Sequence, residues 1–303
     1  MRWTQPSPIS IVKRAKTDLG LSRSTSVTPE SVAPGIWRLE LPSRTLPPYR
    51  TTNTYLVEDR GVGIVVDPGF HEAESLEQVL ATLDKAQITF LKAVLLTHTH
   101  GDHVAGLELL QDRWPDLPVY AHPNELDRLE ATNLQALNAE RTVMVGNIPL
   151  HTVFTPGHSP GHLSFYSEES GVALVGDLLA QQGSTWVGLP EGDVSGYLSS
   201  LDRLDNLRLK VIGPGHGELI HKPKRRIDEL RRHRLERLEQ TYRALEAKPL
   251  RLGELREAVY PGVTDELARF SEYSLLALLK KLMNDLRVVH LGEDEQGPYA
   301  ARR

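Results

Sequence analysis

Thr97-His98-Thr99-His100-Gly101-Asp102-His103 stands directly after Ala93-Val94-Leu95-Leu96, a short apolar run bounded like a buried strand. His98 and His100 are two residues apart, so on extended backbone both imidazoles leave from the same side and can meet one metal. Asp102 and His103 are adjacent, and a continued strand would send them to opposite faces. Gly101 offers permissive backbone for a bend, and the residues that follow start a helix. Two ligand pairs within six residues therefore suit two neighbouring metals better than one.

A metal site needs three or four ligands, usually gathered from separated loops. The later sequence supplies them at strand ends. His158 follows Thr155-Pro156-Gly157 after a strand at 152–154. Asp177 follows Val172-Ala173-Leu174-Val175 and Gly176. His216 lies in Gly213-Pro214-Gly215-His216-Gly217, after Val211-Ile212. One histidine after a strand is ordinarily a surface or hydrogen-bonded residue. A dense quartet followed by three such strand-end residues is the combination of ligand types that metals require.

Composition narrows the chemistry. The chain of 303 residues carries no cysteine, 12 histidines and a formal net charge of −5. Absence of cysteine excludes disulfides, a thiolate nucleophile and every sulfur-ligated zinc site. Imidazole and carboxylate ligands favour zinc, with manganese or iron as alternatives. The mild acidity argues against the whole chain being a nucleic-acid magnet. No apolar run approaches the ~20 residues of a membrane span, so no membrane partner is expected. Residues 1–32 are taken as a basic N-terminal extension without a secretory h-region. A cytoplasmic location is expected, an organellar transit peptide being the alternative.

Short strands alternating with helices follow from Gly35 onward: Ile36–Leu41, a hairpin of 54–57 and 63–66 about Asp59-Arg60-Gly61, and a helix at 72–86. A helix over 104–113 and another near Tyr197–Leu204 continue the pattern, which reads as layered α/β over residues 33–223. Residues 224–303 change character. Ile227, Leu230, Leu235, Leu238, Tyr242 and Leu245 stripe a long charged helix that Pro249 ends. Helices at 252–259 and 273–286 and a hairpin of 288–291 with 298–300 then look like a winged helix.

His-x-His-x-Asp-His with the later His158, Asp177 and His216 resembles the metallo-β-lactamase superfamily. That resemblance implies a four-layer αββα sandwich with a dinuclear metal site at one edge. It implies that His98, His100 and His158 hold the first metal, that Asp102, His103 and His216 hold the second, and that Asp177 bridges them. Asp67, ending its strand, matches the early aspartate that supports such a site from behind. The absent cysteine separates this chain from thiolate-using β-lactamases. Thr51-Thr52-Asn53-Thr54-Tyr55-Leu56-Val57, the Pro-Gly-His-Gly run and the winged-helix-like tail resemble more narrowly the β-lactamase-like protein 2 group, whose characterised members are implied to be endoribonucleases.

The chemistry expected is hydrolysis by a hydroxide held between two cations, with Asp102 as ligand and as orienter or base. The leading substrate is single-stranded RNA. Lys222–Arg237 supports it, with eight basic residues against three acidic ones. Arg225, Arg226, Lys280 and Lys281 are the candidate phosphate contacts. The tail from Ala247 balances nine basic against nine acidic residues, which argues against sequence-specific DNA binding. A thioester or lactone hydrolase of the glyoxalase II type is the alternative, followed by a mononuclear iron persulfide dioxygenase. Asn53 and His162 are candidates for contact with the substrate or support of the metals, loop 181–196 with Trp186 for a pocket wall. Association into a homo-oligomer is a further expectation.

Overall fold

The computed structural model describes residues 28–302. The proposed transit peptide and most of the N-terminal extension lie outside these residues. The extension's boundary at residue 32 runs through a strand, β1 (Glu30–Ala33). It pairs antiparallel with β2 (Ile36–Pro42), followed by β3 (Thr51–Asp59) and β4 (Val62–Val66). Helix α1 (Ala73–Lys85) then crosses to β5 (Phe90–Leu95), which lies parallel to β4. The helix expected over 104–113 is two: α2 (Gly101–Val104) and α3 (Leu107–Arg113). The break falls at Ala105-Gly106, where Gly106 N–H donates to Pro68 O at 2.7 Å and an added Cβ would sit 2.8 Å from the Phe70 ring. Strands β6 (Val119–Ala121) and β7 (Leu134–Ala136) complete a seven-stranded sheet, with a 3-10 turn at Pro123–Arg128 between them.

A second, five-stranded sheet is built by β8 (Thr142–Val145), β9 (Ile148–Phe154), β10 (Leu163–Ser167), β11 (Val172–Leu174) and β12 (Val211–Gly213). Helix α4 (Val194–Asp205) links the last two, which run parallel. The chain continues through α5 (Pro223–Ala247), α6 (Leu252–Val259), α7 (Asp265–Asn284) and a two-stranded pair, β13 (Val288–His290) and β14 (Tyr299–Ala301). Helix α7 begins eight residues before the expected Tyr273.

Period-two alternation decides the layering. Tyr55, Val57, Ile64, Val66 and Leu95 face inward against Leu150, Leu163, Phe165 and Leu174 of the other sheet. Their neighbours Leu56, Val65, Val94 and Leu96 face outward under α1 and α3, against Val79, Leu83, Leu107 and Leu110. Strands buried on both faces need this unbroken apolar character. The outer face of the second sheet, with Ala173, Val175 and Ile212, packs under α4 to α7 in a single apolar core. The four layers are helix, sheet, sheet, helix. Helices α5 to α7 share the sandwich's core: Ile227, Leu230 and Leu238 of α5 belong to it beside Tyr197 and Leu201 of α4. Among the described residues, no helix is long and apolar enough to cross a membrane.

Candidate metal centre

The carboxyl ends of β4, β5 and β11, the start of α2 and two loops converge at one edge of the sandwich. His98 and His100 leave the segment after β5, and the chain then turns into α2, bringing Asp102 and His103 round to the same place. The turn needs no left-handed backbone at Gly101, which lies outside the positive-φ glycines. Close approach matters instead at Gly215, where an added Cβ would stand 2.5 Å from Asp177 Oδ1 and 2.7 Å from His103 Cε1. Asp67 adopts φ +51°, a costly left-handed conformation for a residue with a side chain. Its carboxylate justifies the strain: it accepts from Thr97 N at 2.8 Å and Thr97 Oγ1 at 2.6 Å, and meets His103 Nδ1 at 3.0 Å.

Two groups of ligand atoms result. His98 Nε2, His100 Nδ1 and His158 Nε2 face one another, 3.1 Å and 2.9 Å apart along the chain of contacts. Asp102, His103 and His216 form the second group. Asp177 stands between them: Oδ1 is 3.3 Å from both His103 Nε2 and His216 Nε2, and Oδ2 is 3.7 Å from His158 Nε2. His216 Nε2 is also 3.4 Å from Asp102 Oδ2.

The outer nitrogens show what the inner ones must be. His158 Nδ1 meets the Trp186 carbonyl at 2.8 Å and His216 Nδ1 the Thr51 carbonyl at 2.8 Å. His100 Nε2 meets the Glu191 carboxylate at 3.0 Å, and His103 Nδ1 that of Asp67. Carbonyls and ionised carboxylates only accept, so each of these nitrogens carries a hydrogen. His98 Nδ1 donates to Thr97 Oγ1 at 3.0 Å, whose own hydrogen is committed to Asp67. In neutral imidazoles every inner nitrogen is then a lone pair. The inner nitrogens of His100 and His158 aim these pairs at each other, and His103 Nε2 is buried without a hydrogen-bond partner. Only a proton or a metal cation resolves that repulsion, so the donor set fits metals.

Electrostatics separates the groups. Burial, reinforced by the neighbouring imidazoles, pushes His98 well below the ordinary histidine range and lowers His158. On the other side burial opposes charge but is outweighed: Asp177 and Asp67 hold His103 well above its usual range, and Asp177 with Asp102 raises His216 to about 9. Burial likewise works against ionised Asp102 and Asp177. The bond from His216 leads in holding Asp102 at about 2, and the His216 and His103 charges hold Asp177 well below its usual range.

The other expected residues do not join the two ligand groups. Asn53 is fully buried within β3, and its amide donates to Pro214 O at 2.9 Å and Gly217 O at 2.8 Å. It therefore clamps the His216 loop and does not face a substrate. His162 is also fully buried, bonded through Nδ1 to Thr155 Oγ1 at 3.0 Å, with its ring 5.2 Å behind that of His98. The expected phosphate contacts are largely committed. Arg226 donates to Ala180 O at 2.8 Å and to Gly183 O, Arg225 pairs with Glu229 at 2.8 Å, and Lys281 with Asp285 at 2.6 Å. Lys280 is exposed and, with Asn284, Pro160 and Glu191, lines a groove of about 410 Å³.

Three residues beside the centre lacked a sequence signal. Glu125, 1% exposed, accepts from Thr99 Oγ1 at 2.6 Å and Gly161 N at 2.7 Å, tying the His98–His100 segment to the His158 loop. Glu191 reaches His100 from loop 181–196, while Tyr49 stacks on His216 at 5.4 Å. Trp186 of the same loop packs against His158 and Phe270.

Residues 48–216 match the family model described as the metallo-beta-lactamase superfamily. The chain is 31% identical over 270 residues to the lactamase-like protein adaB of Aspergillus niger, covering 82% of each. It is 26% identical to a beta-lactamase-like protein 2 homolog of Caenorhabditis elegans, covering 77% of this chain and 79% of that one. With an atrochrysone carboxyl ACP thioesterase of Passalora fulva it shares 29% identity, over 79% of this chain and 73% of the relative. The crystal structure of a metallo-beta-lactamase family protein from Thermus thermophilus superposes with a TM-score of 0.74 and 27% identity, covering 90% of this chain and all of that one.

Proposed function

The chain belongs to the metallo-beta-lactamase superfamily and is a hydrolase, and from that premise we propose that it hydrolyses a thioester at a two-metal centre. The convergence of five outer-bonded histidines, with His103, His158 and His216 facing Asp177, carries this reading. His98, His100 and His158 would hold one divalent ion, and Asp102, His103 and His216 the other, with Asp177 common to both. Zinc is the first expectation for imidazole and carboxylate ligands, with manganese or iron as alternatives. Bound there, such ions supply a nucleophile at neutral pH and polarise the substrate carbonyl.

The chain's own residues then position and orient. Asp102, held at about 2, stays ionised throughout the working range. That suits it to ligate and to orient water as an acceptor, more than to store a proton. Asp67 fixes His98 through Thr97 and His103 directly, so one strained residue sets ring orientation on both sides.

Two observations support a thioester over RNA. Three arginines of α5 are turned inward: Arg226, Arg234 and Arg237 donate to the carbonyls of Ala180, Thr185 and Val259. They are thereby unavailable to phosphates. His162, a candidate for substrate contact or for support of the metals, is sealed behind His98. A thiol leaving group, with a pKa of about 8.5, departs as thiolate without a donated proton, whereas a ribose alkoxide needs one. The thioesterase among the relatives agrees with this choice. Single-stranded RNA is the second reading, supported by the exposed Lys222, Arg232 and Lys280.

The test offers the zinc- and manganese-loaded protein S-lactoylglutathione, an acyl-pantetheine thioester and a fluorescent single-stranded RNA. Thiol release abolished by His100→Ala, with intact RNA, is the expected result. Cleavage of RNA alone would replace the thioester reading with the second.

A further inference from the structure

Three of the five inner histidines are fixed by the sandwich itself. His98 and His103 lean on Asp67, and His216 on the β3 carbonyl of Thr51. The other two, His100 and His158, are fixed by a single loop between Leu178 and Val194, through Glu191 and the Trp186 carbonyl. Among the described residues, no strand hydrogen-bonds that loop. It is held from behind by the C-terminal helices: Arg234 of α5 donates to Thr185 O at 2.8 Å, and Arg226 to Ala180 O at 2.8 Å. Trp186 Nε1 donates to Phe270 O of α7 at 3.2 Å, and Leu189 N to Tyr273 O at 3.1 Å.

Among the described residues, Glu191 is the one side-chain carboxylate that touches the histidine triad from outside. Its Oε2 meets His100 Nε2 at 3.0 Å and its Oε1 meets Arg128 Nη1 at 2.5 Å, so both oxygens are committed and aimed. Arg128 belongs to the same 3-10 turn as Glu125, the buried carboxylate that ties the two ligand-bearing segments together. A carboxylate on the far nitrogen of an imidazole fixes the tautomer and ring plane and makes the ligating nitrogen more basic.

We propose that Glu191 is the positioning residue for the metal held by His98, His100 and His158, and that the C-terminal helices act on the centre through the loop that carries it. This rests on the two-metal reading above. The role of residues 224–303 is then to build the outer half of the triad. Glu191→Gln keeps an oxygen to accept from His100 but loses the charge, while Glu191→Ala loses both. Arg128→Gln leaves the carboxylate in place but less firmly aimed.

Zinc affinity at each side, by chelator competition, and the visible spectrum of the cobalt(II) form test this on the full chain. His158→Ala and His216→Ala serve as references that identify which signal belongs to which side. Glu191→Ala is expected to weaken binding at the His158-dependent side by roughly 10–100-fold. The His216-dependent side should change by less than about threefold, its outer partners being untouched. Glu191→Gln should recover part of the loss, and Arg128→Gln should fall between Gln and wild type. Wild-type affinity in Glu191→Ala overturns the proposal. Equal losses on both sides overturn it too, since they indicate a merely structural role. Should Glu191→Ala not fold, judged by its circular-dichroism melt, the Gln and Arg128 variants decide by the same criterion. A wild-type protein with no metal signal sensitive to His158→Ala would instead remove the two-metal reading, and this inference with it.

Discussion

The two sides of the centre are built from similar ligands and prepared in opposite ways. On one side three imidazoles face one another with a carboxylate, Glu191, behind His100 alone, and burial drives His98 and His158 toward the neutral form that binds metal. On the other, Asp102, Asp177 and Asp67 surround His103 and His216 and favour their protonated forms, so a metal bound there would have to displace protons. The lesson is that ligand identity does not set the ionisation of a site; the groups standing behind each ligand do. One side is ready for a cation at neutral pH, and the other exchanges protons for it.

The largest expected effect comes from removing what the two sides share. Asp177→Asn keeps the shape but removes the charge facing His103, His216 and His158. A fall in kcat/KM of at least the roughly 10²–10³ associated with one preorganised polar group is expected in steady-state assays. A loss below tenfold would break the picture of a shared carboxylate. Next is Glu125→Ala, which strands the Thr99 hydroxyl and the Gly161 N–H in a buried place. A loss of roughly 2–5 kcal/mol is expected from urea melts of the metal-free protein.

The comparison itself is tested by counting protons. His216, at about 9 in the metal-free protein, is charged at pH 7.5 and must release a proton to ligate. Calorimetry in buffers of different ionisation enthalpy should therefore show about one or more protons released when metal fills the Asp102 side. Filling the triad should release none from His98 or His158, whose lowered values leave them neutral already. The contribution of His216 fades as pH rises through about 9. Equal release from both sides would erase the distinction. The smallest effect belongs to Arg225→Ala and Lys281→Ala, which remove exposed pairs one helical turn apart. Each should move stability by less than about 1 kcal/mol and leave thioester turnover unchanged. A marked loss of RNA cleavage in either would favour the second substrate.

Much of this was legible in the sequence because the ligands announce themselves. Spacing within His98–His103 and glycines beside His158, Asp177 and His216 mark strand ends, and period-two alternation gives the sheets their two buried faces. Residues defined by their partners stayed hidden. Glu125 and Glu191 look like ordinary surface acids until folding brings Thr99, Gly161 and His100 to them. Part of the basic stripe of α5 stayed hidden for the same reason. Arg226, Arg234 and Arg237 satisfy backbone carbonyls 22 to 49 positions away in the sequence, and a carbonyl has no letter in a sequence. Charge counting sees the excess cation but not the acceptor that occupies it.

Metal content of the purified wild-type protein, set beside that of His158→Ala and His216→Ala, addresses the two-metal centre most directly. Two divalent ions per chain in the wild type, with one lost in each variant, is the expected result. One ion per chain that survives His216→Ala would contradict a centre with two sides.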